Sequence, residues 1–414
     1  MRIAIIGGGA SGLMTAWLLQ GQHQVDLYEK QTYLGGNVRT LGRNVTCSDL
    51  PEGVVLENGV TGFHKASNPN FLRLLNQLNV PVHEHFPKTG LFFGNRAPLM
   101  LDSLRNIKAT GMLRYFLRLR QGYRFGLSLK SFIARVRSIH GNDLRGRKFV
   151  NFLSGRNSRF NLWMRALAME SYSTAFQDVD ALPAEIGIPI IRNGLSHSPW
   201  MRIEGGVYTY MQHILARIDA NIFPGTQIRD IQRRRDGVKI RFAKGSSKRY
   251  DKVVLAVTPG QVLRLLANPT DQEKRGFGDW SDRAARTIAH TDHSFYPSDS
   301  PRMSVMDFFD DGRGAIGYNC NMNNLHDIPG DVRYSFAMGL DALIDPHKTL
   351  DNHIHRVPRY TSAAVARRRQ IIERNGDNHT FFAGAYLGDG LHEGAATSAL
   401  AVARLLSQRQ VAAA

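Results

Sequence analysis

The chain has 414 residues and a formal net charge of +18 at pH 7. This length indicates two or three domains and allows a large buried core. Its two cysteines, Cys47 and Cys320, argue against a disulfide framework or a cysteine metal site, and small buried or partly buried side chains are expected. Glycines interrupt the apolar start, and no stretch reaches the roughly 18 unbroken apolar residues of a membrane span. A cytoplasmic protein is therefore expected.

The first elements follow the order strand, helix, strand. Residues 2–6 form an apolar run typical of a buried strand, and Gly7 to Gly12 predict a tight loop. Apolar residues at helical spacing continue over 13–20, and a second strand is predicted over 24–28. This pattern predicts a helix that crosses between two parallel strands.

The later elements place nucleotide-binding features at both ends of the chain and near its middle. Helices are predicted over 71–78, 207–218 and 394–406 and over most of 103–175, and strands over 239–242, 252–257 and 381–383. The dinucleotide-binding domain is therefore predicted to be discontinuous, with an inserted domain for substrate. Its predicted parts are 1–90, 200–265 and 375–414, and the substrate domain takes 91–199 and 266–374.

The first motif is Gly7-x-Gly9-x-x-Gly12. In this pattern the first glycine permits the turn, the second lets backbone approach a pyrophosphate, and the third lets the helix pack closely on the sheet. The helix start then offers N–H groups to phosphate. Glu29, 17 residues past Gly12, suits the ribose hydroxyls and disfavours a 2′-phosphate, so NADP is not expected. A purely structural glycine turn is the alternative.

Two further glycine-rich segments fit a long, buried cofactor. The pair Gly35-Gly36 follows the ribose acid, and Arg39 comes three residues later; a surface turn is the alternative. Residues 381–400 read as strand, glycine-rich loop and helix, whose N-terminus suits negative charge on a flavin. A plain connection between elements is the alternative for this segment.

These segments resemble the flavin amine oxidase superfamily, which includes amine oxidases, phytoene desaturases and protoporphyrinogen oxidases. The mid-chain Gly205-Gly206 with Tyr210 and the late Glu-Gly-Ala follow in a similar order. More narrowly, MRIAIIGGGASGL, LGGNVRT, MRIEGGVYTYMQHI, HTDHSFYP and AGAYLGDGLHEGAATSALAVA resemble a bacterial family of predicted NAD/FAD-binding proteins associated with cyclopropane-fatty-acid synthase-like genes.

The resemblance implies an α/β fold: a discontinuous Rossmann-type FAD-binding domain with an inserted α+β substrate domain, as in amine oxidases. It implies FAD, adenine contact through the backbone of Ile228, and a cofactor lining that starts at Ala256. Because Cys47 and Cys320 lie outside the cofactor motifs, the FAD is expected to be non-covalent. From the motifs and the resemblance together, the candidate cofactor-binding residues are Gly7, Gly9, Ala10, Ser11, Gly12, Glu29, Lys30, Gly35, Gly36, Asn37, Val38, Arg39, Ile228, Ala256, Gly384, Leu391, His392, Glu393, Gly394, Ala395 and Ala396.

The C-terminal loop bears on the substrate. Amine oxidases place an aromatic residue two positions before the Glu of Glu-Gly-Ala, and here that position is Leu391. An aliphatic side chain offers no cation–π attraction to an amine. The leading hypothesis is therefore hydride transfer at flavin N5 with an acyl chain or isoprenoid, in desaturation, saturation or double-bond isomerisation. An amine or amino-acid oxidase and an FAD-stabilised binding protein are the alternatives.

Histidines are considered for catalysis and for metal binding. His392 is a candidate acid or base beside the flavin, with helix capping or a supporting role as the alternative. The pieces His290-Thr-Asp292-His293 and His353-Ile-His355 lack a matching third ligand, so strand or surface histidines are expected and no metal.

The basic residues are concentrated between 105 and 159, where fourteen face a single acid, Asp143. They are Arg105, Lys108, Arg114, Arg118, Arg120, Arg124, Lys130, Arg135, Arg137, Arg145, Arg147, Lys148, Arg156 and Arg159. With Tyr115, Phe116 and Tyr123 nearby, this stretch predicts peripheral binding to an anionic membrane surface, at the inner face of the membrane. An ordinary solvated basic helix is the alternative, and nucleic-acid binding is not expected because no recognition module is present.

Overall fold

The computed structural model describes residues 1–93, 99–101, 112–139, 141–153, 159–194, 198–297, 303–310 and 316–411. Part of the basic stretch lies outside the described residues, namely Arg105, Lys108 and Arg156. Helix bounds are described over 112–137, but the side chains of Arg114, Tyr115, Phe116, Arg118 and Arg120 also lie outside the description.

The strands in the described part of the chain are β1 Arg2–Ile6, β2 Gln24–Tyr28, β3 Thr40–Leu41, β4 Leu56–Glu57, β5 Phe63–His64, β6 Val82–His85, β7 Thr89–Phe93, β8 Leu99–Leu101, β9 Trp200–Ile203, β10 Ala220–Phe223, β11 Ile228–Arg234, β12 Gly237–Phe242, β13 Ser247–Tyr250, β14 Lys252–Leu255, β15 Asp282–His290, β16 Met306–Asp310, β17 Ile316–Asn321, β18 Ser335–Met338, β19 Thr349–Pro358 and β20 Thr380–Phe382. The α-helices there are α1 Ala10–Leu19, α2 Pro69–Gln77, α3 Met112–Arg137, α4 Gly141–Leu144, α5 Arg159–Ser171, α6 Ala184–Gly194, α7 Thr209–Leu215, α8 Pro259–Leu265, α9 Asp271–Phe277, α10 Met322–His326, α11 Ser362–Glu373 and α12 His392–Val411.

A parallel five-stranded sheet organises the first part of the fold. Its strand order is β10-β2-β1-β14-β20, so β1 lies at the centre between β2 and β14. Residues Ile3 to Ile5 are fully buried, since a parallel sheet with both faces covered needs continuous apolar strands. All carboxyl ends meet at one edge, where ligands bind in such sheets. The predicted α/β class is confirmed.

The chain divides into two compact units. The first contains Met1–His83, Ile203–Ala284 and His355–Ala414, and the second Glu84–Arg202 and Ala285–Ile354. The first unit is therefore built from three separate segments, and the five-stranded sheet lies within it.

The predicted boundaries differ from this division in several places. Residues 266–284 and 355–374 belong to the first unit, whereas residues 84–90 and 200–202 belong to the second. The reason is packing: Phe277 and Trp280 share one apolar core with Ile371 and with Phe382 of β20. The sequence pattern does not show that α9 and α11 pack together beside this sheet.

A mixed sheet of order β19-β15-β18-β17-β16-β7-β8 has most of its residues in the second unit. Helix α3 packs through Phe125 and Phe132 against Phe160 of α5, with ring centroids 5.5 and 5.7 Å apart. Within the described residues, no helix is both long and apolar enough to cross a membrane.

Candidate active site

In the turn between β1 and α1, contacts within the protein require glycine at two positions. Gly7 has φ +110°, and a Cβ there would lie 2.4 Å from the carbonyl oxygen of Ala256. A Cβ on Gly12 would lie 1.9 Å from the carbonyl oxygen of Gly7. Backbone atoms cannot yield at such distances, so these glycines set the tight turn and the close approach of α1 to the sheet.

Gly9 is different. Its φ of −84° and ψ of −173° are open to any residue. A Cβ there would meet only ordinary contacts, 3.7 Å to the Cα of Gly36 and 4.0 Å to the carbonyl oxygen of Gly35. Neither backbone strain nor packing within the described protein requires glycine at this position. The remaining reason for a glycine is that it lets a ligand approach the backbone closely.

The start of α1 is suited to an anion. Gly9 is the N-cap residue of α1, and within the described residues no side chain caps this end of the helix. The first turn carries no acidic residue. Ser11 and Gly12 are nevertheless buried, and Ala10 is half-buried. The amides of a helix's first turn lack partners within the helix and carry partial positive charge, which phosphate oxygens can satisfy.

Glu29 lies immediately after β2 and is buried. Its Oε2 accepts a hydrogen bond from the backbone N–H of Gly8 at 2.8 Å, and its Oε1 accepts one from Gln31 at 2.8 Å. Each carboxylate oxygen has a further lone pair available for a ribose hydroxyl. The neighbouring Lys30 points elsewhere, and its Nζ donates to Gln261 at 3.3 Å.

The glycine pair is brought directly against the first turn. The N–H of Gly35 donates to the carbonyl of Gly8 at 2.9 Å, and a Cβ on Gly36 would lie 3.1 Å from the Cα of Gly9. Both glycines have positive φ. A side chain on Gly36 would crowd the backbone of Gly9, so the segment after Glu29 and the glycine loop lie directly against each other.

The remaining residues of this segment have different surroundings. Val38 is buried, and its N–H donates to the carbonyl of Gly35 at 3.0 Å. Arg39 is also buried, and its guanidinium donates to the hydroxyl of Tyr33 at 3.3 Å. The amide of Asn37 donates to the carbonyl of Arg356 at 3.2 Å, so its side chain is used to hold the backbone.

Ile228 and Ala256 lie near the same sheet edge. The N–H of Ala256 extends the ladder past β14 by donating to the carbonyl of Ile6 at 2.8 Å. Two residues before Ile228, the N–H of Thr226 donates to the carbonyl of Glu29 at 2.8 Å. The structure therefore brings both positions into the neighbourhood of the glycine loop and of the ribose acid.

The C-terminal loop closes around the half-buried carboxylate of Asp389. The Oδ1 of Asp389 accepts from the N–H of Leu391 at 2.9 Å and from that of Gly394 at 2.8 Å. Burial raises the pKa of Asp389. Because Asp389 caps α12, the helix begins at His392 rather than at 394 as predicted. The N–H groups expected to be free for a ligand near 394–396 are therefore partly hydrogen-bonded within the protein. Ala395 and Ala396 are small and buried at this helix start.

Gly384 and Glu393 fix this segment to the rest of the first unit. The N–H of Gly384 donates to the hydroxyl of Ser398 at 2.9 Å. The carboxylate of Glu393 accepts from the N–H groups of Asn70 and Phe71, each at 3.0 Å, and from the side-chain amide of Asn70 at 2.7 Å. Glu393 therefore caps α2 through its side chain, and the predicted cofactor contact is left to its backbone.

His392 is enclosed by aromatic rings. Its ring centroid lies 4.8 Å from that of Phe71, and its Nε2 lies 3.3 Å from the hydroxyl of fully buried Tyr210. Burial lowers the pKa of His392 to about 4 and raises that of Tyr210. Both groups are therefore neutral near pH 7, a state suited to positioning and to hydrogen bonding rather than to donating a proton from imidazolium.

The sequence reasoning missed Glu57. This side chain is fully buried, and its Oε1 accepts from the N–H of Val207 at 2.6 Å while its Oε2 pairs with the hydroxyl of Thr40 at 2.8 Å. Burial raises the pKa of Glu57 to about 8. It ties the strand that follows Arg39 to the backbone after Gly206. An acid between Leu56 and Asn58 gives no local signal of this role.

The histidine pieces are used inside the protein. The Nε2 of His290 lies 2.9 Å from Oδ1 of Asn319, that of His293 3.1 Å from the hydroxyl of Ser335, and that of His355 2.8 Å from the carbonyl of Asn58. Among the described residues, no group of three or more His, Cys, Asp or Glu is placed to hold a metal ion.

The site fits a dinucleotide. The uncapped start of α1 offers amides to the pyrophosphate, and the acid after β2 offers a carboxylate to ribose. At Gly9, contacts within the protein do not require a glycine, so the open space there is available to a ligand. These features define a dinucleotide-binding protein of the Rossmann class. Residues 10–299 match the family model of flavin-containing amine oxidoreductases, and the chain belongs to that family. It is an FAD-dependent oxidoreductase.

Solved structures support the same fold. A triply substituted putrescine oxidase is similar with a TM-score of 0.71 and 13% identity over 99% of both chains. A CLA-producing fatty acid isomerase from P. acnes has a TM-score of 0.67 and 15% identity over 98% of both chains. A protoporphyrinogen oxidase assigned as putative from Exiguobacterium sp. 255-15 has a TM-score of 0.65 and 13% identity over 99% of both chains. No curated protein sequence matches significantly.

Proposed function

We propose that this enzyme acts on an apolar, lipid-like substrate: an acyl chain or isoprenoid that undergoes desaturation, saturation or double-bond isomerisation by hydride transfer at flavin N5. The observation that carries this proposal is Leu391, an aliphatic side chain at the cage position of amine oxidases, held by its N–H on Asp389. Leucine favours an alkyl chain through burial and offers no cation–π contact to an ammonium group. A fatty acid isomerase is among the proteins of similar fold, at 15% identity, so the fold is used for a lipid in that protein.

In the same proposal, FAD is bound non-covalently by the first unit. The N–H groups at the start of α1 bind the pyrophosphate, Glu29 binds ribose hydroxyls, and Gly35-Gly36 keeps the backbone close beside them. Cys47 is partly exposed and Cys320 is buried, and neither lies in these motifs. FAD, when bound, supplies the hydride acceptor or donor.

The residues around His392 have a positioning role in this proposal. A neutral imidazole packed against Phe71 and Tyr210 gives an uncharged wall at the start of α12. Such a wall suits an alkyl substrate because it adds no charge that must be desolvated on binding.

Oxidation of a small amine or amino acid is the second candidate. The family as a whole is described by amine oxidoreduction, and the similar structures include putrescine oxidase and a cyclohexylamine oxidase from Brevibacterium oxydans IH-35A. Those similarities are at 12% and 14% identity, a level that supports the fold and leaves the substrate to the site.

A lipid-like substrate also implies a place of action. We include in the proposal that the protein is cytoplasmic and binds reversibly to the inner face of the membrane, from which the substrate comes. The strongly basic composition, with a net charge of +18, supports binding to an anionic leaflet.

The test is an anaerobic screen of the purified flavoprotein in both redox states. Oxidised enzyme is mixed with saturated and unsaturated acyl lipids, isoprenoids, diamines, monoamines and amino acids, and bleaching of the flavin band is recorded. Dithionite-reduced enzyme is mixed with the unsaturated lipids. The products formed in both redox states are separated by gas chromatography and identified by mass spectrometry, because isomerisation changes neither the mass of the lipid nor the flavin band. Lipid turnover that falls in Leu391→Tyr is expected. Flavin reduction by an amine, with no reaction of any lipid in either state, would favour the second candidate.

A further inference from the structure

Helix α3 presents an outer face that no described part of the protein covers at its centre. Tyr123 is 68% exposed and Leu127 is 49% exposed. Lys130, Ala134 and Arg137 are exposed as well. These five positions follow one another at intervals of three or four residues, so they form one stripe along the helix.

The opposite face of α3 holds the helix in place. Phe132 and Val136 are buried, and the Phe125 ring lies 5.5 Å from that of Phe160 and 5.3 Å from that of Trp163. The inner face alone therefore accounts for the packing of α3. Tyr123 and Leu127 are not needed for the core, and contact with an apolar partner would remove their exposed surface from water.

The charge around the outer face has one sign. Arg124 lies beside Tyr123, and Lys130 and Arg137 lie on the stripe itself. The sequence of α3 from Met112 to Arg137 contains no acidic residue. Apolar side chains in the middle of a basic helix face are typical of helices that lie in a membrane interface, with lysine and arginine reaching anionic headgroups.

We propose that the outer face of α3, centred on Tyr123 and Leu127, is the surface through which this protein docks on an anionic lipid bilayer. The inference deepens the proposed function, on which its biological purpose rests, by naming the partner surface. Lipid is favoured over nucleic acid because two large apolar side chains occupy the centre of the face. A phosphate backbone binds through charge and would gain nothing from contact with them. The basic residues supply attraction and the two apolar residues supply insertion.

The experiment is vesicle co-sedimentation of the FAD-bound, full-length protein without substrate turnover. Vesicles contain phosphatidylcholine alone or with phosphatidylglycerol. Binding to the anionic vesicles at low salt and release at high salt are expected. The variant Lys130→Gln/Arg137→Gln should weaken binding by about five-fold per charge. The variant Tyr123→Ser/Leu127→Ser should weaken it by roughly ten-fold or more at unchanged salt dependence.

Matched control variants come from the same unit. Val332 and Leu343 are 52% and 40% exposed, so Val332→Ser/Leu343→Ser removes similar apolar exposure elsewhere. Arg192 and Arg333 are exposed, and their change to Gln removes the same charge elsewhere. Both controls should bind like the unaltered protein.

Three outcomes would overturn the inference. They are equal binding to neutral and anionic vesicles, equal weakening by the control variants, and no effect of Tyr123→Ser/Leu127→Ser. Binding of a DNA oligonucleotide in place of vesicles, with the same dependence on Lys130 and Arg137, would likewise replace lipid by nucleic acid as the partner. Docking without any lipid turnover would leave this inference standing and would count against the proposed function alone.

Discussion

Gly9 and Gly12 in the turn after β1 are glycines for different reasons. Gly12 is required by the protein, because any side chain would meet the carbonyl oxygen of Gly7. Gly9 has ordinary backbone angles and room for a methyl group. A substitution at Gly9 thus separates ligand binding from folding, which few positions in a glycine loop allow.

We predict that Gly9→Ala folds normally but binds FAD weakly. The added methyl group would stand where the pyrophosphate approaches, at a cost of about 1–3 kcal/mol, or roughly 5- to 150-fold in Kd. Circular dichroism and thermal unfolding of the apo-protein report the fold, and quenching of flavin fluorescence during titration reports the affinity.

Gly12→Ala is the matched comparison, and it should lose stability and FAD affinity together, since its Cβ would lie 1.9 Å from a backbone oxygen. If Gly9→Ala bound FAD as tightly as the unaltered protein, the pyrophosphate would have to lie elsewhere, and the cofactor contacts proposed for the glycine loop would be wrong.

At the scale of elements, α2 and α12 are joined by Glu393. The N-cap residue of α2, Asn68, does not cap the helix with its own side chain. The carboxylate of Glu393 instead accepts the N–H groups of Asn70 and Phe71, which have no acceptor within the first turn of the helix. A negative charge at this end of a helix is also favoured by the helix dipole.

We predict that Glu393→Ala destabilises the protein by about 1–2 kcal/mol, the usual cost of losing a helix cap. Glu393→Gln should destabilise the protein less than Glu393→Ala. Its amide oxygen can still accept both N–H groups, whereas the acceptor for the Asn70 side-chain amide and the negative charge are lost. Urea unfolding measures the free energy of unfolding. Glu52, an exposed acid of the same unit, provides the control Glu52→Ala; an equal effect of the two alanine variants would mean that the cap contributes nothing.

Local patterns predicted some elements well and others poorly. The two strands around the glycine loop, 2–6 and 24–28, have the predicted bounds, because their apolar runs end in strong turn residues. Helix α1 begins at Ala10 rather than at 13, and α12 at His392 rather than at 394. Both helices start inside glycine-rich segments, where helix propensity gives no clear boundary.

The roles of single side chains depended on distant partners. Glu393 binds residues 322 and 323 positions away, and Glu57 binds Val207, 150 positions away. No spacing rule joins such pairs. The glycine motifs could be assigned from sequence because their backbone needs are local, whereas these buried acids became visible only in three dimensions.

For the molecule as a whole, buried ionisable groups oppose one another as pH changes. Burial raises the pKa of Glu57 to about 8, of Glu170 to about 7 and of Asp307 to about 6. It lowers the pKa of His290 and of His392 to about 4. The acids stabilise the fold while protonated, and the histidines stabilise it while neutral. Stability should therefore fall towards both alkaline and acidic pH.

Glu57 makes the alkaline side of this dependence testable. In the unfolded chain its carboxyl has the ordinary pKa of 4.5, and in the fold the pKa is about 8. Its contribution is therefore fully present below 4.5 and is lost as pH rises to 8, because folding then requires a proton that the unfolded chain has released. Glu57→Gln keeps an acceptor for the N–H of Val207 and a donor for Thr40, and it cannot ionise.

We predict that Glu57→Gln matches the unaltered protein near pH 5 and surpasses it near pH 8. The measurement is the free energy of unfolding at several pH values, with Glu52→Gln as an exposed control whose curve should follow that of the unaltered protein. Because Glu170 and Asp307 remain, the variant should still lose some stability as pH rises, and the difference between the two curves isolates Glu57. Parallel curves across this range would show that Glu57 is ionised in the fold. The assignment of a neutral Glu57 carboxyl bonded to the backbone of Val207 would then be wrong.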